Sequence, residues 1–102
     1  MTKQIERITQ MEAALDDLTA VRAEFLGALK KFKKAQAQYT ALSEYYGGDL
    51  WGQDFDDDEA GKLPKDLKRG VLSEDGIYNA LNDYRDTCLD SIIDLTEVVR
   101  AI

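Results

Sequence analysis

A chain of 102 residues has the length of one domain and room for a modest core. With 32% charged and 44% apolar residues its composition is that of a globular or coiled-coil protein, not a disordered one. It has no histidine and one cysteine, Cys88, so it lacks the commonest general base and cannot close an internal disulfide. The net charge of −7 disfavours nucleic acid and anionic membranes as direct partners, since both reward clustered positive charge.

Charge is uneven along the chain. Residues 1–46 carry seven basic and six acidic side chains, residues 47–73 four and seven, and residues 74–102 two and seven. No run approaches the ~18 to 20 apolar residues of a membrane span. The opening residues Met-Thr-Lys-Gln-Ile-Glu-Arg lead into no apolar stretch of the secretory kind. A cytoplasmic location is the expectation, and the lone cysteine accords with a reducing compartment.

The first element expected is one long helix over residues 2–46. Met11, Leu18, Phe25, Phe32, Tyr39 and Tyr46 recur every seven residues, and Ile8, Leu15 and Leu29 take the partner position of the same heptad. Ala14, Val21, Ala28, Ala35 and Leu42 widen this face, while Arg22, Gln36 and Ser43 interrupt it. Such a helix is about 65 Å long. Gly27 falls on its outer surface, and Gly47 and Gly48 are expected to end it in the left-handed conformation that glycine allows.

Residues 49–72 read as a helical cap. Trp51, Phe55, Leu63, Leu67, Val71 and Leu72 supply apolar anchors, and glycines and Pro64 punctuate them. A short helix is expected near residues 50–60, stopped by Gly61, followed by a helical turn from Pro64 to Gly70. The last element is a helix over residues 74–101, capped by Ser73 and favoured by Glu74 and Asp75 at its positive end. Gly76 stands where a capping box wants Glu or Gln. Ile77, Leu81, Tyr84, Cys88, Ile92, Leu95, Val99 and Ile102 form its apolar stripe.

The fold expected is therefore all-α: a long antiparallel, coiled-coil-like hairpin in a single domain, with a short helical cap between its two main helices. The arms are unequal. The final helix runs out near Leu18, which leaves Ile5, Ile8, Met11, Leu15 and Leu18 without cover. A strip of this kind marks an interface, and a homodimer completing a four-helix bundle is the expected outcome. Two alternatives stay open: fraying of the first turns, or a break near Gly27 that folds the chain into three helices.

Sites for chemistry are few. Cys88 sits on the apolar stripe and reads as a core residue. The acidic run Asp54, Asp56, Asp57, Asp58 and Glu59 invites a calcium loop, but no register supplies both the glycine at position six and the glutamate at position twelve. No paired carboxylates are placed across a cleft, and no phosphate-binding glycine loop is present. The expectation is a protein without catalytic residues, metal or cofactor. Asp83, Asp86, Asp90, Asp94 and Glu97 step by three and four to make an acidic ridge about 21 Å long. That ridge is the solvent face of an amphipathic helix, or else a phosphate mimic that masks a nucleic-acid-binding protein.

The segment Asp58-Glu59-Ala60-Gly61-Lys62-Leu63-Pro64-Lys65-Asp66-Leu67-Lys68-Arg69-Gly70-Val71-Leu72-Ser73-Glu74-Asp75, with Tyr45-Tyr46-Gly47 and Trp51 before it, resembles a family of small bacterial proteins known as a domain of unknown function. The resemblance covers nearly the whole chain; Gly76 in place of a helix former is a small departure. It implies a helical fold and supplies no activity, cofactor or catalytic residue. Within the motif, Trp51, Phe55, Lys65, Lys68, Arg69 and Asp75 are candidates for a docking surface, because an aromatic anchor and an arginine lie close in sequence. The function expected is a non-enzymatic protein–protein interaction module whose partners are a second copy of itself and another, unidentified protein.

Overall fold

The computed structural model describes residues 2–102. Among them the chain is all-α, with no strand: four helices and one 3-10 turn. They fall into two compact units, Met1–Gln36 and Ala37–Ile102.

The first unit is helix α1, Thr2–Lys34. Its 33 residues make a rod of about 50 Å. It runs unbroken through Gly27, so a break at that glycine does not occur. The single helix expected over residues 2–46 is instead interrupted at Ala35, and helix α2 follows at Gln36–Gly47. Ala35 keeps its bond to the Lys31 carbonyl at 3.1 Å. The charge pattern gives a reason for the place. Lys30, Lys31, Lys33 and Lys34 crowd like charges at helical spacing, which costs a few tenths of a kcal/mol per pair inside a continuous helix. At the C-terminal end of a helix the same cations are favoured by its negative pole.

The second unit is built around the start of the last helix. α2 turns into α3 (Asp49–Glu59) at Gly48. The helix was expected to end there in the left-handed conformation, but Gly48 has φ −98° and ψ −176°, which is extended backbone. Its glycine identity answers to space: a Cβ at position 48 would meet the Glu44 carbonyl oxygen at 3.0 Å. The left-handed glycine is Gly61, with φ 72°. Gly61 N–H reaches the Asp58 carbonyl and Lys62 N–H the Asp57 carbonyl, each at 3.0 Å, the paired bonds of a Schellman stop.

The helical turn expected from Pro64 to Gly70 does not form. Leu67 N–H closes one turn on the Pro64 carbonyl at 3.2 Å. The Arg69 guanidinium then donates to the carbonyls of Pro64 (2.6 Å) and Lys65 (3.3 Å), the two acceptors a helix would use next. The 3-10 turn lies later, at Gly70–Leu72.

Helix α4 spans Glu74–Ala101, as expected. Ser73 Oγ accepts from Gly76 N–H at 3.2 Å, half of a capping box. Leu72 and Ile77 flank that cap at the two positions of a hydrophobic staple, and they are the buried hydrophobic residues among those described. Position 76 is glycine because a Cβ would meet the Gly70 carbonyl oxygen at 3.0 Å. Further along, the Tyr39 and Tyr84 rings pack with centroids 5.4 Å apart, while Tyr46 feels the charges of Glu74 and Asp75 in the first turn of α4. Residue numbers thus fall along α2 as they rise along α4, so these two helices run antiparallel.

Replacing Gly61 by Ala forces a Cβ into the left-handed region, which costs roughly 1–2 kcal/mol. Chemical denaturation of Gly61→Ala is expected to show that loss, whereas Gly27→Ala, on an open helix surface, should be neutral or stabilising. A Gly61→Ala midpoint equal to wild type would contradict the Schellman stop.

Candidate functional site

The strip on α1 is exposed along its whole length. Ile5, Ile8, Met11, Leu15 and Leu18 are between 53 and 70% accessible. Exposure does not end at Leu18, where cover by the final helix was expected to begin: Val21, Phe25, Leu26 and Leu29 are also exposed, and no α1 side chain is buried. Ile8, Leu15, Arg22 and Leu29 take one core position of a heptad, and Met11, Leu18, Phe25 and Phe32 the other. Near the end of α1, Leu26, Leu29, Lys30, Lys33 and Lys34 line an open depression. Its walls combine apolar surface with cations.

The distal half of α4 is similarly bare. Leu89, Ile92, Ile93, Leu95, Val98, Val99 and Ile102 are all exposed. The sequence pattern marks these residues as apolar and periodic. Periodicity identifies a face that can be covered, but it does not say that the cover is present.

The residues proposed for a docking surface divide into two sets. Trp51 and Phe55 are half-buried and stacked at 5.3 Å, and Tyr46 meets Trp51 edge-on at 5.0 Å. The indole N–H of Trp51 donates to the Val71 carbonyl at 2.9 Å. Arg69 pairs with Asp58 at 2.8 Å and bonds two loop carbonyls besides. These three side chains hold α3, the loop and the 3-10 turn to one another. Lys65, Lys68 and Asp75 stand exposed around them.

Asp83, Asp86, Asp90, Asp94 and Glu97 are all exposed on α4. Among the described residues ion pairs form in the loop region, between Arg69 and Asp58 and, more loosely at 3.8 Å, between Lys62 and Asp57. No group of three or more His, Cys, Asp or Glu side chains among the described residues is placed to hold a metal ion. Cys88 is half-buried on α4 with a free thiol.

One polar contact was not legible from the sequence. Tyr45 Oη donates to Asp54 Oδ2 at 2.6 Å, joining α2 to α3 across nine residues. The adjacent Tyr-Tyr pair carries no local signal that one ring stacks and the other binds a carboxylate. That hydrogen bond, helped by partial desolvation and by the Asp54 charge, pushes the Tyr45 pKa up to about 12. Partial burial and then the Glu74 carboxylate raise Tyr46 as well.

The fold and its surfaces define a class: an all-α protein with a small core and long amphipathic faces, in which no helix among the described residues is long and apolar enough to cross a membrane. Within that class the chain belongs to the family described as a domain of unknown function (DUF4298), whose profile matches residues 8–93. No curated protein and no solved structure matches it.

The raised Tyr45 pKa gives alkaline stability a definite sign. The folded chain holds this phenol protonated, so the Tyr45 contribution is complete below the ordinary pKa of 10.0 and is lost as pH rises through about 12. Phenolate absorbance should show one tyrosine titrating near pH 12, and Tyr45→Phe should flatten part of the decline in stability above pH 10. Identical alkaline unfolding curves for the two proteins would refute the Asp54 bond.

Proposed function

We propose that this protein is a non-enzymatic interaction module that self-associates through the apolar face of α1. The supporting observation is the contrast between its core and its surface. Among the described residues Leu72 and Ile77 are buried, while twenty large apolar side chains are exposed, nine of them along α1. Monomeric proteins rarely leave a contiguous apolar strip of this length in water, and burying each Leu or Ile contributes roughly 1.5–3 kcal/mol. A second copy brings the same strip, so an isologous homodimer covers both at once. Its four long helices would make a bundle, with the segment around Trp51 at the end of each hairpin available to an unidentified protein partner.

The alternative, an acidic decoy for a nucleic-acid-binding protein, rests on the α4 ridge. Five exposed carboxylates on one side of an amphipathic helix are also what solvent exposure requires, so the α1 strip carries the stronger reading.

Leu15→Asp combined with Leu18→Asp places two charges in the centre of the strip. Light scattering should show wild type at twice the chain mass and the double variant at the chain mass, with helical circular dichroism largely kept in the second unit. The loss of two buried leucines, at least ~3 kcal/mol, corresponds to more than about a hundredfold in association. Equal masses for the two proteins would reject α1 as the interface.

A further inference from the structure

The orientation of the pair is written into the charges of α1. Building on the self-association above, we propose that two α1 helices pair antiparallel, centred between Asp16 and Asp17, so that Arg22 of each copy lies level with Met11 and Glu12 of the other. Three features of the exposed face support this arrangement over a parallel one.

The first is Arg22, which occupies a core position of the heptad. In a parallel, in-register pair the two copies of this residue meet each other at the same level, with like charges in the seam. In the antiparallel pair the stem of Arg22 lies along the unbranched Met11 side chain of the second copy, a contact its methylene groups favour. The guanidinium then comes level with the second copy's Glu12, where opposite charges attract. The second feature is the lysine cluster at Lys30, Lys31, Lys33 and Lys34. A parallel pair brings eight ammonium groups together at one end. The antiparallel pair separates the clusters by about 45 Å along the axis, several times the ~8 Å screening length of physiological salt.

The third feature is the pair of apolar residues that flank the seam, Ile5 and Leu26, both exposed. They share one heptad position, and in an antiparallel pair that position faces its own counterpart. The proposed centre sets Ile5 of one copy against Leu26 of the other at both ends. The register also covers the exposed strip from Ile5 to Leu29 almost symmetrically, including the Leu26 and Leu29 walls of the open depression near the end of α1.

Cysteine trapping tests the orientation. In a Cys88→Ser background, a chain carrying both Ile8→Cys and Phe25→Cys should oxidise to a disulfide-linked dimer, because residue 8 of one copy lies opposite residue 25 of the other. Each single variant should stay uncrosslinked, its two thiols being about 25 Å apart. Since these positions lie in the seam, a second measurement uses the exposed site Lys31. Spin labels on Lys31→Cys in the same background should be about 40 to 50 Å apart. Crosslinking of Ile8→Cys alone, or a label distance under about 20 Å, would show a parallel pair and overturn the proposal. A dimer that gives neither crosslink nor the long distance would place the interface on another face and also overturn it. A wild-type chain that is monomeric would remove self-association itself, and with it this inference.

Discussion

The hydrogen bond from the Trp51 indole to the Val71 carbonyl joins α3 to the segment that feeds α4. Around it the second unit assembles. Tyr46 and Phe55 hold the indole between them, Arg69 ties the loop to Asp58 and to its own carbonyls, and the Leu72–Ile77 staple shields the cap at Ser73. A buried or half-buried indole needs an acceptor for its N–H. Here the acceptor is the Val71 carbonyl, within the 3-10 turn that leads into α4.

The first unit is built differently. α1 presents its apolar face to water and buries none of its side chains. Helix propensity by itself gives marginal stability, and most helices in proteins draw their stability from packing of an amphipathic face. For the 33 residues of α1, covering that face is the source of stability that packing would add. The proposed self-association and its proposed orientation rest on that exposed face together with the placement of Arg22 and four lysines. The acidic second unit and the lysine-rich end of α1 also show that the net charge of −7 is a sum over very different surfaces.

Much of this architecture was legible in the sequence. α4 is delimited as expected, from the Ser73 cap to its last apolar residue, because its N-terminal signals and its stripe agree. α3 is displaced by one residue from the expected range and stops at Gly61 as glycine chemistry suggests. The interruption at Ala35 was not foreseen: Ala is the strongest helix former, and the lysine crowding that accounts for the break acts between residues. The region from Pro64 to Gly70 misled for a related reason. Pro64 opens a helix well, but the Arg69 side chain competes for the carbonyls that would continue it. In the candidate site, most apolar residues of α1 and part of those of α4 were recognised, while Leu26, Leu89, Ile93 and Val98, and the extent of exposure, were not. Trp51, Phe55 and Arg69 were singled out for their chemistry, and their engagement with Tyr46, Val71 and Asp58 depends on neighbours that residue spacing does not specify.

Gly48 and Gly76 share a geometry that bears on how this fold can vary. At each, a backbone carbonyl oxygen lies 3.0 Å from where a β-carbon would stand, a tight contact. The main chain itself acts as the mechanical stop that sets the direction of α3 at one corner and α4 at the other. α4 is a lever of 28 residues, about 42 Å long. A β-carbon at Gly76 would make its neighbour give way slightly, and over so long a helix a small turn at the base is magnified at the far end. Outward-facing positions can drift freely, whereas the corner at position 76 has little room for anything larger than hydrogen.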